Sequence, residues 1–231
     1  MPQTGPKARP VKTTRASRVA EDLRQSILRG DLAPGEKVNL DRLRAQLGVS
    51  LSPLREAISR LTTVGLVLSE DQRGFRIAPV SVGNLAEVTR LRADLESLAL
   101  GYAVERAEID WESAVLGALH RLNRVAADAA TTGDAWEAAH AAFHLALIEG
   151  CGMPVLIGFC RTLHDLNLRY VRLHGIGPGE NRDMAAEHAA IAEAAAVRRD
   201  AGAARALLRG HAERTGRDLS ARIGQLPGVP A

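Results

Sequence analysis

From residue 82 onward the chain repeats one signal. Apolar side chains recur at helical spacing in runs at roughly 82–107, 110–131, 134–150, 153–173, 181–200 and 201–223. Breakers fall between the runs: Gly133-Asp134, Gly150-Cys151-Gly152-Met153-Pro154, Gly175 to Gly179, and Asp200. Six amphipathic helices with short connections must bury their apolar stripes against one another, and an antiparallel helical bundle is the economical way to do so. Composition agrees: hydrophobic residues make up 46% of the 231 but aromatics only 3%, which favours helices packed through small and aliphatic side chains over a sheet-rich core. No internal repeat interrupts this reading, and the only low-complexity features are Ala-rich helical tracts. The length allows one or two domains.

No run of 18 apolar residues exists, and the start, MPQTGPKARPVKTTR, has basic residues without an apolar core, so the expectation is a cytoplasmic protein with neither membrane span nor secretory signal. The two cysteines, Cys151 and Cys160, form no CxxC pair and read as reduced core thiols. Charge divides the chain. Residues 1–80 carry 14 Lys/Arg against 8 Asp/Glu, and the remainder 16 against 19, so a polyanion partner belongs to the first part.

After a basic arm, residues 1–14, the segment from Ser17 spaces Val19, Leu23, Ile27 and Leu28 as one helix face and stops at Gly30. Leu40, Leu43 and Leu47 mark a second helix that breaks at Gly48, and Leu54, Ile58 and Leu61 a third. Ser52 is the expected N-cap of that third helix, with Pro53 at its first position. Two short helices joined through Gly48-Val49-Ser50 match a helix-turn-helix, whose second helix enters the major groove. Its polar side carries Ser50, Ser52, Arg55, Ser59 and Arg60. Leu66-Val67-Leu68 and Phe75-Arg76-Ile77, around a tip holding Arg73 and Gly74, predict a two-stranded wing. The organisation expected is a winged helix-turn-helix over 15–80 and a helical domain over 81–231, mainly α throughout.

Gly30-x-Leu32-x-Pro34-Gly35, Leu47-Gly48-Val49-Ser50, Ser52-Pro53-Leu54-Arg55-Glu56-Ala57, Gly65-Leu66-Val67 and Arg73-Gly74-Phe75 resemble, in order, the GntR family of bacterial transcription regulators. The resemblance implies that Arg55 contacts DNA in or beside the major groove, that Ser50 and Ser52 anchor phosphates, and that Arg73 and Gly74 approach the minor groove. Arg60, on the same helix, is a further DNA-binding expectation. An arginine that can fork onto guanine has its own physical warrant, and the bland alternative for Arg55 is a surface charge paired with a carboxylate. The chain departs from many family members at Leu51, where they have Arg, and at Asp41, where they have a basic residue.

In the helical part, His140 and His144 stand four apart and share a helix face, while His188 and His211 come from two later helices. Taken singly, each reads as an ordinary hydrogen-bonded imidazole; taken together, they can surround one ion in a bundle core. Arg92-x-x-Leu95-Glu96, Phe143-His144, Glu187-His188 with Ile191, and His211 resemble the ligand-binding domain of the FadR-like (FCD) branch of that family. In its metal-containing members an Asp four residues before the Phe-His histidine joins three histidines around a divalent ion, commonly zinc or nickel; here that position is His140. The resemblance thus implies a metal held by His140, His144, His188 and His211.

Leu51-Ser52-Pro53-Leu54-Arg55-Glu56-Ala57, His140-x-x-Phe143-His144, Gly150-Cys151-Gly152 and Arg169-Tyr170 are similar to the CsiR/GlaR subgroup, repressors of glutarate and 2-hydroxyglutarate catabolism. This implies a small dicarboxylate effector. Arg92, Arg169 and Tyr170 are the expected effector contacts, with Arg172 a further arginine able to fork onto a carboxylate. The alternatives are a salt bridge from Arg92 to Glu96 and a helix-surface pair at Arg169-Tyr170.

Enzyme motifs are missing from the sequence. A helical zinc protease needs HExxH, and the residue after His140 is Ala141; there is no GxSxG, GxxxxGK or strand-linked GxGxxG, and GIGPGE from Gly175 reads as a turn. The expectation is a homodimeric repressor that binds a short pseudo-palindrome in double-stranded operator DNA and is released by a carboxylate. A regulator with a structural metal, a regulator responding to metal alone and, remotely, a metal-dependent hydrolase are the competing readings.

Overall fold

A computed structural model describes residues 14–128, 130–174 and 183–223. The expected arm, apart from Thr14, and the turn beginning at Gly175 lie outside the described residues. The chain forms two compact units, Met1–Ala78 and Pro79–Ala231.

In the first unit α1 (Arg15–Arg29), α2 (Leu40–Leu47) and α3 (Leu51–Thr63) precede a hairpin of β1 (Val67–Glu70) and β2 (Gly74–Ile77). Thr14 caps α1 by accepting from the Ser17 amide, and Asn39 caps α2 by accepting from Arg42. The apolar stripe of α1, Val19, Leu23 and Ile27, is buried, as are Leu54, Ala57, Ile58 and Leu61 of α3; these two helices pack together. The hairpin is antiparallel, Val67 opposite Ile77 and Glu70 opposite Gly74. A third segment extends it: the Val38 amide donates to the Phe75 carbonyl at 2.8 Å, and the Ile77 amide to that of Glu36 at 2.8 Å.

One expected boundary is corrected. α3 starts at Leu51 with Ser50 as N-cap, two residues before the position read from Ser52 and Pro53. Pro53 is third in the helix, where a missing amide proton has no intrahelical acceptor to lose, so it does not fix the start.

In the second unit α4 (Val82–Arg106), α5 (Ile109–Ala127), α6 (Gly133–Glu149), α7 (Pro154–His174), α8 (Met184–Ala192) and α9 (Ala201–Ile223) form a bundle. α4 packs most extensively on α9. At Gly216 a Cβ would come within 2.4 Å of the Thr89 side chain, so only glycine permits that approach of α9 to α4. The core runs through Leu100, Val115, Phe143, Leu147, Ile191 and Leu208.

The run expected over 181–200 is divided. Asp183 caps α8, its carboxylate accepting from the Ala186 amide at 2.9 Å. After Ala192 the helix widens into a π-helical turn, Glu193–Val197, in which the Arg198 amide reaches the Glu193 carbonyl at 2.9 Å. It buries Ala194, Ala195 and Ala196, and the chain then reverses at Arg199, whose φ is +55°. That left-handed conformation is held by two bonds from Arg199 Nη1, to the Ala107 carbonyl at 2.9 Å and to Glu112 Oε1 at 2.7 Å.

Candidate metal centre and DNA-reading face

His140 and His144 face inward one turn apart on α6, His188 lies on α8 and His211 on α9. One ligand atom from each comes within 4.8 Å of every other, which is the spacing of donors able to share an ion. His144, His188 and His211 are buried and His140 is half-buried. His140 stacks on Trp136, one turn earlier on α6, with ring centroids 4.8 Å apart, and Phe143 meets His188 edge-on at 5.2 Å.

The surroundings orient the rings. Glu187 Oε2 lies 2.8 Å from His211 Nδ1, and its other oxygen accepts from Arg214 Nε at 2.8 Å. A carboxylate on Nδ1 sets the tautomer and orientation of the His211 ring, as the outer partner of a ligating histidine does. His144 is different: neither ring nitrogen has a hydrogen-bond partner, and Glu96 Oε2 stands 3.8 Å from Nδ1, too far to bond. Two orphaned polar atoms on a residue only 5% exposed are what a metal-ligating imidazole looks like when its partner is an ion. Burial, and then repulsion from the neighbouring imidazoles, holds the pKa of both His140 and His144 well below the usual histidine range. They are therefore neutral at pH 7, the form that ligates. The residues fit a divalent ion of the zinc and nickel kind.

Arg92 forks onto Glu96 through Nε–Oε1 at 2.7 Å and Nη2–Oε2 at 3.3 Å, both side chains being buried. The salt-bridge alternative for Arg92 is thus what the geometry contains, and Arg92 still lines the cavity beside the histidines together with Glu137, His140, His164, Asn167 and His211. That cavity measures about 30 Å³, room for one or two waters. Arg172 pairs with Glu137 and, at 3.1 Å, with Asp134. Arg169 and Tyr170 are buried but are not among the residues lining this cavity. The Tyr170 hydroxyl donates to Asn84 Oδ1 at 2.7 Å and lies near the Ser81 backbone, tying α7 to the first turn of α4. Burial pushes its pKa up. Sequence reasoning overlooked three contributors: Glu187 as the group orienting His211, Glu96 beside His144, and His164 in the cavity wall. Glu96 carried a usable signal in its i+4 spacing from Arg92, and Glu187 in its place beside His188, but neither spacing told which histidine the acid would meet.

In the first unit Arg55 is exposed on α3, and no hydrogen bond or ion pair engages it among the described residues. Ser50 and Ser52 are exposed at the N-terminal turn of the same helix, and the Ser50 hydroxyl makes no capping bond. An anion-binding helix end with two free hydroxyl positions suits a phosphate. Arg60 is placed otherwise: it donates to Glu56 at 2.6 Å and to Ser17 at 2.8 Å, bracing α3 against α1. Arg73 is exposed at the hairpin tip beside Gly74, whose φ of +92° suits a tight turn.

The sequence model of bacterial regulatory proteins of the gntR family matches residues 15–77, and that of the FCD domain matches residues 87–214. The chain belongs to the GntR family and carries an FCD domain. It is 35% identical over 150 residues to the HTH-type transcriptional repressor GlaR of Escherichia coli, covering 64% of this chain and 68% of that protein. It is 33% identical over 195 residues to the HTH-type regulator BphR of Paraburkholderia xenovorans, covering 83% and 79%. The solved structure of E. coli McbR/YncC superposes with a TM-score of 0.73 at 25% identity, over 89% of this chain and 97% of that one. This GntR regulator is accordingly a DNA-binding transcription factor of mostly helical fold, akin to regulators and not to enzymes. No described helix is long and apolar enough to cross a membrane.

Proposed function

We propose that this GntR regulator is a homodimeric repressor of operator DNA, released by a small carboxylate that enters the histidine cluster. The observation carrying the proposal is the convergence of His140, His144, His188 and His211, with both His144 nitrogens lacking hydrogen-bond partners. These four residues would hold a divalent ion, zinc or nickel, which when bound supplies a Lewis-acid site for one carboxylate oxygen. The protein's own groups do the rest. Glu187 fixes the His211 ring, Trp136 backs His140, and Arg92 and Asn167 on the cavity wall offer donors to a second carboxylate, so a dicarboxylate such as glutarate or 2-hydroxyglutarate suits the site. The likeness to a protein named as a repressor supports the sign of regulation.

A cavity of about 30 Å³ is too small for a five-carbon dicarboxylate, so uptake has to displace side chains. A ligand that fits only a rearranged cavity binds two conformations unequally, which is the condition for shifting their populations. On the DNA side Arg55 reads a base, Ser50 and Ser52 anchor phosphate, and Arg73 with Gly74 approaches the minor groove. Arg60 contributes by holding α3 on α1.

The test is fluorescence anisotropy on DNA from upstream of the gene and its neighbours, at fixed salt, with the zinc-loaded protein and a panel of small carboxylates. Specific binding released by one carboxylate supports the proposal and names the effector. Specific binding that responds to zinc alone replaces it with a metal-responsive regulator, and specific binding that responds to neither makes the cluster structural.

A further inference from the structure

Among the described residues, three carboxylates near the histidine cluster each have a cationic partner. Glu96, 5% exposed, is forked by Arg92; Glu187 is shared between His211 and Arg214; Glu137 is held by Arg172. The four donors themselves are imidazoles, so none brings a negative charge to an ion. A divalent cation seated among them would carry its full charge into a largely desolvated wall whose carboxylate–arginine pairs cancel internally. Buried charge without a counter-charge is strongly disfavoured, and among the described residues the one carboxylate lining the cavity, Glu137, is already paired with Arg172.

Among the described residues the open space beside His140 and His211 is where a counter-charge can enter, and without side-chain movement it has room for a few polar atoms. We infer that metal binding at His140, His144, His188 and His211 is coupled to an anion: a small carboxylate and the metal each bind tightly only in the presence of the other. The inference rests on reading the four histidines as a metal site. It adds a property of this chain, namely that the carboxylate is required for loading as well as being sensed. By linkage the coupling is reciprocal, so the factor by which acetate tightens zinc is the factor by which zinc tightens acetate.

Arg214 gives the inference a handle. Its side chain is 39% exposed, it lies at the edge of the cluster, and it balances Glu187. Arg214→Gln would leave the Glu187 carboxylate facing His211 without that guanidinium, returning negative charge to the site without touching a ligand.

The experiment is a zinc titration of the metal-stripped full chain against a competing chelator. It is run in sodium perchlorate and again with about 10 mM acetate replacing part of the perchlorate at equal ionic strength. Acetate weakly complexes free zinc, an effect opposite in sign to the one sought. The expected result is zinc affinity about tenfold or more higher in acetate, within the usual range of coupling between sites. Cobalt substituted for zinc should change its visible absorption on acetate addition. In Arg214→Gln zinc should bind more tightly in perchlorate and the acetate factor should shrink. Equal zinc affinity in both salts, with binding abolished by His144→Ala, overturns the coupling and leaves the metal site standing. Absence of stoichiometric zinc binding in either salt overturns the metal site and the coupling with it.

Discussion

His144→Leu separates a metal ligand from a core histidine by the sign of its effect. A neutral imidazole carries one N–H and one lone pair, and at His144 neither has a partner although the residue is only 5% exposed. Leaving a buried polar group unsatisfied costs about 1–3 kcal/mol, and replacing it with an apolar group of similar volume removes that cost. The metal-free variant should therefore be more stable than the metal-free wild type by about 2 kcal/mol. For a chain of this size that is roughly 4–8 °C in Tm. Zinc at a thousandfold excess over its dissociation constant adds about 4 kcal/mol to the wild type by mass action, while the variant, with three histidines left, gains little. The order of stability should thus invert between chelator and zinc. Differential scanning calorimetry in both conditions reads it directly. A metal-free variant less stable than the wild type, or an equal zinc-induced rise in both proteins, would refute the reasoning.

Arg55→Ala should weaken binding to a specific operator by about 1–3 kcal/mol, roughly 5- to 150-fold, and relax the base preference at one position in each half-site; unchanged affinity and preference in anisotropy would remove Arg55 from base readout. Glu187→Gln takes the charge from His211 Nδ1, so zinc affinity measured by chelator competition should fall about 10- to 100-fold, and an unchanged affinity would mean that Glu187 does not orient the ligand. Burial pushes the Cys160 thiol up to about 12, so the native protein should resist thiol reagents at pH 8 that label both cysteines after denaturation. The folded state keeps that proton while the unfolded state loses it above pH 9. Stability should then decline by about 1.4 kcal/mol per pH unit between 9 and 12, and Cys160→Ala should flatten that slope in urea titrations.

What could be read from the sequence were features fixed by local spacing. The i, i+4 step places His140 and His144 on one face of α6 and brings Arg92 onto Glu96. The Gly133 and Pro154 breaks fall at the starts of α6 and α7. Features that depend on distant packing were not legible. The Tyr170 hydroxyl meets Ser81 and Asn84 nearly ninety positions earlier, so the residue expected as an effector contact is also bonded to the start of another helix. The π-helical turn lies in the run EAAAV, whose alanines suit an α-helix equally well. The turn's own Ala194, Ala195 and Ala196 are buried there, and Arg199 just after it bonds to Ala107 and Glu112, which lie in a distant part of the chain.

Glu187 shows how the same packing settles what the cluster can do chemically. In the sequence it adjoins His188, the arrangement from which a hydrolytic metal site would draw a general base. Successive residues on a helix diverge by about 100°, so the Glu187 carboxylate need not follow the His188 ring. It reaches across to α9, one oxygen on His211 Nδ1 and the other on Arg214. A base whose two oxygens are so engaged holds a ligand ring in place; it is not positioned to take a proton from water at the opposite face of the cluster. Glu96, the other nearby carboxylate, is locked by Arg92. Four imidazole donors whose flanking acids, Glu187 and Glu96, are tied up by arginines leave neither acid placed as a base, which favours the proposed regulator over the hydrolytic reading.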